Sequence, residues 1–206
     1  MSIAASTPLV PVTVHATLAD RVQPAGISRF AYNAMLIIGG SLLMALSAQV
    51  VIPNWPVPFT GQTFAVLLVG ALLGSKRGAL AMMLYVCEGA MGLPVFAQFS
   101  AGLWGPTAGY IVGFIACAWL VGLLAERGWD RRIWTTALAM TLGTLTIFAF
   151  GVPWLWAFTN LLTDDSSLAL STALYSGLVI FLPGAVLKIA LAMVLLPLGW
   201  RVLGKR

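Results

Sequence analysis

The chain has 206 residues, of which 11 are Lys or Arg and 6 are Asp or Glu, so 8% are charged while 60% are hydrophobic. An ordinary soluble domain carries about 25% charged residues, and a chain this apolar lacks the polar groups to cover its surface in water. The composition excludes a cytosolic enzyme and a disordered chain and leaves a polytopic membrane protein, so the formal net charge of +5 is tested first as a record of topology rather than as a sign of a nucleic-acid partner.

Residues 1–28 have no apolar core of the ~7–15 residues that a signal peptide needs, and Asp20 and Arg21 interrupt the approach to the first apolar run. They are read as a short cytoplasmic arm. It holds the single histidine, His15, read as solvated rather than as a ligand. A bilayer-spanning helix takes ~20 mostly apolar residues. Runs over 30–52, 78–97, 106–125 and 133–153 fit that length, and a shorter run over 62–74 predicts a tilted or partly buried span. The last apolar region, 168–203, is too long for one span and too short for two. Pro183 divides it, since proline suits a first helical position. The sixth span is therefore 183–203, with a short helix over 168–182 at the outer surface. The prediction is a single all-α domain over 29–206, built from six transmembrane helices.

The basic residues support this count. Arg21 and Arg29, Lys76 and Arg77, Arg127, Arg131 and Arg132, and Arg201, Lys205 and Arg206 all fall on one side of the alternation. The connections 53–61, 98–105 and 154–167 contain no Lys or Arg. By the positive-inside rule the charged side is cytoplasmic, with both termini.

Recognisable catalytic chemistry is missing. There is no GxxxxGK[ST] phosphate loop, HExxH, GxSxG elbow or Cys/His metal cluster, and Cys87 and Cys117 read as packing residues inside spans. The chain is read as not an enzyme, with no catalytic residue, metal or cofactor. Two ionisable residues lie within spans, and such residues are functional candidates by default. Lys188 lies five residues into the sixth span, roughly 7–8 Å deep at 1.5 Å per residue. It either meets an acidic ligand, snorkels outward, or pairs with Glu88. Glu88, near the middle of the third span, either contacts a substrate, holds Lys188, or lines a polar helix contact. The outer connections hold no basic residue and are rich in aromatics, among them Phe59, Phe96 and Trp104. With neutral partners such as Gln62 and Ser100 they can cover an apolar pocket. Gly109/Gly113 and Ser41/Ala45 are small-xxx-small pairs suited to close helix packing.

Pro56-Val-Pro-Phe-Thr-Gly-Gln-Thr63, Gly89-Ala-Met-Gly-Leu-Pro-Val-Phe-Ala97, Gly105-Pro-Thr-Ala-Gly-Tyr110 and Pro183-Gly184 followed by Lys188 together resemble the BioY family, from about Ala45 to the C-terminus. BioY proteins are the biotin-binding S components of energy-coupling factor (ECF) transporters. The resemblance implies six helices, a pocket near the outer face of a bacterial inner membrane, and biotin as transported ligand. It also implies partners absent from this chain, a membrane T component and two ATPases. It places Lys188, Tyr110 and Ser100 at the ligand. The family's last motif reads Pro-Gly-Asp-x-x-Lys; here the Asp position is Ala185. The expectation is that Lys188 pairs with a charged or acceptor group of biotin and that Glu88 replaces the missing carboxylate. The competing expectations are an S component for thiamine or riboflavin, and a biotin-binding membrane sensor.

Overall fold

A computed structural model describes residues 16–161 and 170–203. The start of the arm with His15, the beginning of the outer helix at 168–169, and Lys205 and Arg206 lie outside the described residues. A short α1 (Leu18–Arg21) precedes α2 (Arg29–Ala48). Strands β1 (Val51–Ile52) and β2 (Phe59–Thr60) form a small antiparallel hairpin, with Val51 opposite Thr60. The helices α3 (Gln62–Leu73), α4 (Ser75–Ala90), α5 (Ala108–Ala125) and α6 (Ile133–Leu161) follow. Then come α7 (Leu170–Gly177) and α8 (Leu182–Leu203). Among the described residues, four helical stretches are long and apolar enough to cross a membrane: Arg29–Ala48, Ala108–Ala125, Ile133–Asn160 and Leu170–Leu203. The apolar α3 is shorter. Outward-facing Phe30, Leu46, Trp134 and Val194 are exposed, which suits a surface solvated by lipid.

α5 is the centre of the bundle, packed against α3, α4 and α6. Small residues make those contacts close. A Cβ on Gly113 would lie 3.1 Å from Phe150 Cβ, one on Gly70 2.8 Å from the Ala118 carbonyl oxygen, and one on Gly109 would overlap Trp154. The Gly109/Gly113 pair therefore packs inside the bundle, against α6.

Several helix ends differ from the sequence expectation. α2 stops at Ala48 instead of running to residue 52, because β-branched Val51 and Ile52 pair with β2 and Pro53 follows. α4 starts at Ser75, earlier than 78, because Glu126 caps it: the carboxylate accepts the Ser75 N–H at 2.7 Å and the Ser75 hydroxyl at 2.9 Å. It ends at Ala90, well short of 97, where Gly92 takes a positive φ of 96° ahead of Pro94. α6 does not stop at Pro153 but continues to Leu161, so 154–161 is helix and not connection. One proline removes a single N–H, a loss that membrane helices tolerate. The outer helix is, within the described residues, α7 followed by a 3₁₀ turn over Val179–Phe181.

The helices run alternately between two ends. At one end the polar residues gather. Arg77 donates to Asp20 at 2.9 Å, to the Thr17 hydroxyl at 3.0 Å and to the Leu73 carbonyl at 2.7 Å, fastening α1 beneath α3 and α4. Trp200 donates its indole N–H to Asp130 at 2.6 Å, while Arg131 lies 4.3 Å from the Trp200 ring centroid. Burial alone would raise the Asp20 pKa, but the Thr17 N–H and hydroxyl and the Arg77 guanidinium outweigh it and hold the carboxyl below its ordinary value. A lowered carboxyl stabilises the fold above the unfolded-state pKa of about 4, and that contribution is lost as pH falls through the lowered value. The wild type should therefore lose stability on acidification that Asp20→Asn has already lost. With the Asp20 side chain 40% exposed, the difference is on the order of 0.5–1 kcal/mol. Melting temperatures in detergent down a pH series measure it; parallel curves for the two proteins would remove the assignment.

Candidate functional site

The opposite end is hollow. A cavity of about 390 Å³ opens between the β1–β2 hairpin, the connection from α4 to α5, and the starts of α3, α5 and α8. One wall is polar. Lys188, nearly two turns into α8, reaches across to the end of β2 and the start of α3 and donates to the Thr60 carbonyl at 2.7 Å and the Thr63 hydroxyl at 2.6 Å. Ala185 precedes it by three residues, hence on the same helix face, and also lines the cavity. Next to this pair the Thr60 hydroxyl donates to Gln62 Oε1 at 3.0 Å, Gln62 Nε2 donates to the Tyr85 hydroxyl at 2.7 Å, and Tyr85 donates to the Val95 carbonyl at 3.1 Å. This relay ties the start of α3 to α4 and to the loop beyond it. Among the described residues no Asp or Glu lines the cavity, and Lys188 is the one charged side chain in its wall.

The remaining walls are aromatic. Phe59 and Phe181 lie 4.4 Å apart by ring centroids, and Phe148 lies 6.5 Å from Phe181. Trp104 meets Trp154 and Phe158 edge-on, each at 6.4 Å, while Trp154 donates to the Gly105 carbonyl at 2.8 Å. The Tyr110 ring fits a slot at Gly151, and its hydroxyl donates to the Gly177 carbonyl at 2.7 Å. Tyr110 thus lends the cavity a ring, with its hydroxyl committed to α7. Phe96 is buried, packs edge-on to Tyr85 at 5.2 Å, and sits directly over Gly89.

The loop bearing Phe96 is bent hard. Gln98 and Phe99 have φ of 59° and 55°. Each such left-handed non-glycine residue costs roughly 1–2 kcal/mol. The bend is closed by Phe96 N–H to the Ser100 carbonyl (3.0 Å) and the Ser100 hydroxyl to the Ala97 carbonyl (2.8 Å). From outside, Gln49 holds it, donating to the Phe96 carbonyl at 3.0 Å and accepting the Phe99 N–H at 3.1 Å.

Of the residues expected from sequence, Phe59, Gln62, Phe96, Ser100, Trp104, Tyr110 and Lys188 all line this cavity. Glu88 does not. Its carboxylate accepts the buried Ser41 hydroxyl on α2, so it lines a helix contact, and Lys188 bonds α3 instead. Sequence reading passed over Thr63, Phe148, Phe181 and Gln49. Thr63 had a usable signal, lying three residues after Thr60 on the chain segment facing Lys188. Phe148 had none, as one apolar residue among many in α6.

Because the Phe96 ring fills the space over Gly89, a methyl there would overlap it. Gly89→Ala should push the ring into the cavity and weaken ligand binding about tenfold or more while the chain stays folded. Calorimetric titration beside a melting curve checks this, and unaltered affinity would contradict it.

The sequence model of the BioY family matches residues 15–205. A protein named biotin transporter BioY from Thermotoga maritima is 48% identical over 113 residues, 53% of this chain and 66% of that one. The protein of the same name from Rhodobacter capsulatus is 37% identical over 170 residues, covering 76% of this chain and 87% of its own length. That from Rhizobium etli is 33% identical, covering 79% and 86%. The crystal structure of the S-component for biotin from an ECF-type ABC transporter has the same fold, with a TM-score of 0.70 at 22% identity, over 88% of this chain and 96% of that chain.

Proposed function

This chain belongs to the BioY family, and on that premise we propose that it is the substrate-binding membrane component of a biotin uptake system. It is a transport protein and not an enzyme. Biotin combines an acidic side chain, an apolar thioether ring and a ureido group that donates and accepts hydrogen bonds. The observation that carries the reading is the cavity of about 390 Å³ with aromatic walls and a single ammonium, Lys188. It falls within the ~300–1,000 Å³ of small-molecule pockets, mostly apolar with a few placed polar groups. Lys188 takes a charged or acceptor group of biotin, and the rings around Phe59, Phe181 and Trp104 take the apolar part.

The orientation follows from charge. Arg21, Arg29, Lys76, Arg77, Arg127, Arg131, Arg132 and Arg201 belong to the end away from the cavity. The positive-inside rule makes that end cytoplasmic and the cavity outward-facing. The six helices α2–α6 and α8 then span the bacterial inner membrane, with both termini inside. Biotin is captured outside and released inside, with a T component and two ATPase subunits supplying the energy that nothing in this chain supplies.

Calorimetric titration of the purified chain in detergent tests the ligand. Saturable binding of biotin, with thiamine and riboflavin giving none, is the expected result; a chain that ignores biotin sinks the reading. Uptake of labelled biotin by cells lacking other biotin routes, with and without co-produced T and ATPase subunits, separates a transporter from a sensor.

A further inference from the structure

Gln49 is assigned no role by the reading above, yet it sits where the chain leaves α2 for one segment that covers the cavity and its side chain bonds the other. It caps the end of α2, two residues before β1, and so anchors the strand that leads into the Trp55–Thr60 part of the lining. Its side-chain amide grips the other cover. Nε2 donates to the Phe96 carbonyl at 3.0 Å and to the Ala45 carbonyl at 3.2 Å, while Oε1 accepts the Phe99 N–H at 3.1 Å. The gripped segment, 96–99, holds two left-handed non-glycine residues, a costly shape that the bonds among Phe96, Ala97 and Ser100 close from within and Gln49 holds from outside. Phe99 itself is 70% exposed and does not line the cavity, so packing of its ring does not hold the bend. Phe96, Ala97 and Gln98 before it and Ser100 after it do line it.

The geometry points to Gln49 as a latch: its amide ties the strained 96–99 bend to the end of α2 and so holds it closed over the cavity, and ligand residence time depends on this one side chain. Gln49 acts through the loop and is a positioning residue. The inference rests on the biotin-binding reading for its ligand measurement only.

Two readouts test it. Tritiated biotin bound to the purified chain is chased with excess unlabelled biotin, and amide hydrogen exchange is followed in the 95–105 peptides of the ligand-free chain. Gln49→Ala should speed biotin release about tenfold, chiefly through the off-rate, and speed exchange in those peptides. Glycine adopts positive φ freely, so adding Phe99→Gly should relieve the bend and slow release again by at least about threefold. A merely structural role for Gln49 predicts no such rescue. Release from Gln49→Ala within about twofold of wild type, unchanged exchange, or no rescue by Phe99→Gly each overturns the latch. If Gln49→Ala does not fold, the isosteric Gln49→Glu, which keeps the acceptor for Phe99 and loses both donated bonds, must show the faster release and exchange, and otherwise the latch is refuted. A wild-type chain that binds no biotin would overturn the proposed function instead, while the exchange measurement still decides the latch.

Discussion

Lys188→Ala is expected to lower biotin affinity roughly 10- to 100-fold, the range set by losing a charge-assisted hydrogen bond worth about 1.5–3 kcal/mol. An ammonium has three N–H donors. Two are taken by the Thr60 carbonyl and the Thr63 hydroxyl, which aim the group and leave one donor for a ligand. Among the described residues no carboxylate in the cavity wall competes for it. Lys188→Arg should not restore affinity, because a planar fork does not reproduce the point charge seated between those two oxygens. Thr63→Val should fall between, since it frees one donor and loosens the aim but leaves the charge. Calorimetric titration orders the series. Affinity in Lys188→Ala within about threefold of wild type would show that this lysine does not meet the ligand.

Gly122→Ala is expected to be the most damaging of the small substitutions for stability. A Cβ at residue 122 would overlap the backbone of Gly74 and Ser75, where the α3–α4 turn lies on α5. Backbone cannot swing aside as a side-chain tip can, so the helices must part, at a cost of about 1–3 kcal/mol. The separation also strains the cap that Glu126, one turn later on α5, places on Ser75. A melting temperature lowered by several degrees is the measurable result. Gly39→Ala is the control, because no atom lies within 4 Å of its Cβ position. A Gly122→Ala protein that melts like the wild type would refute the packing argument.

What could be read from the chain alone followed from strong, local signals. Few charges and long apolar runs gave a helical membrane protein, and the clustering of basic residues separated one end from the other. Aromatic, proline-rich connections on the side without basic residues located the cavity residues, because side chains of that kind have little reason to sit together except to enclose something. Helix ends were harder. Pro153 looks like a stop, but whether a helix survives a proline depends on the partners around it, and a linear chain does not display those. Glu88 was legible as unusual but not in its role, since its partner Ser41 stands 47 residues away on another helix. Gln49 gave no signal at all. A glutamine at the end of an apolar run is unremarkable until a distant loop with two left-handed residues is found resting on its amide.

The continuation of α6 past Pro153 also bears on how the protein sits in its bilayer. At ~1.5 Å per residue its 29 residues extend about 43 Å, against a hydrocarbon core of ~30 Å. Tilting to the ~40° limit of observed membrane helices shortens that projection only to about 33 Å. The surplus must therefore lie outside the hydrocarbon, in the interfacial layer. In the proposed orientation, the preference of aromatic side chains for the interface puts Trp154, Trp156 and Phe158, near the C-terminal end, at the headgroup layer. The rim that Trp154 and Phe158 build with Trp104 is thereby raised above the oil, where a dissolved solute arrives. Membrane thickness becomes a variable of its own, because a thicker bilayer draws that rim under and a thinner one lifts it clear.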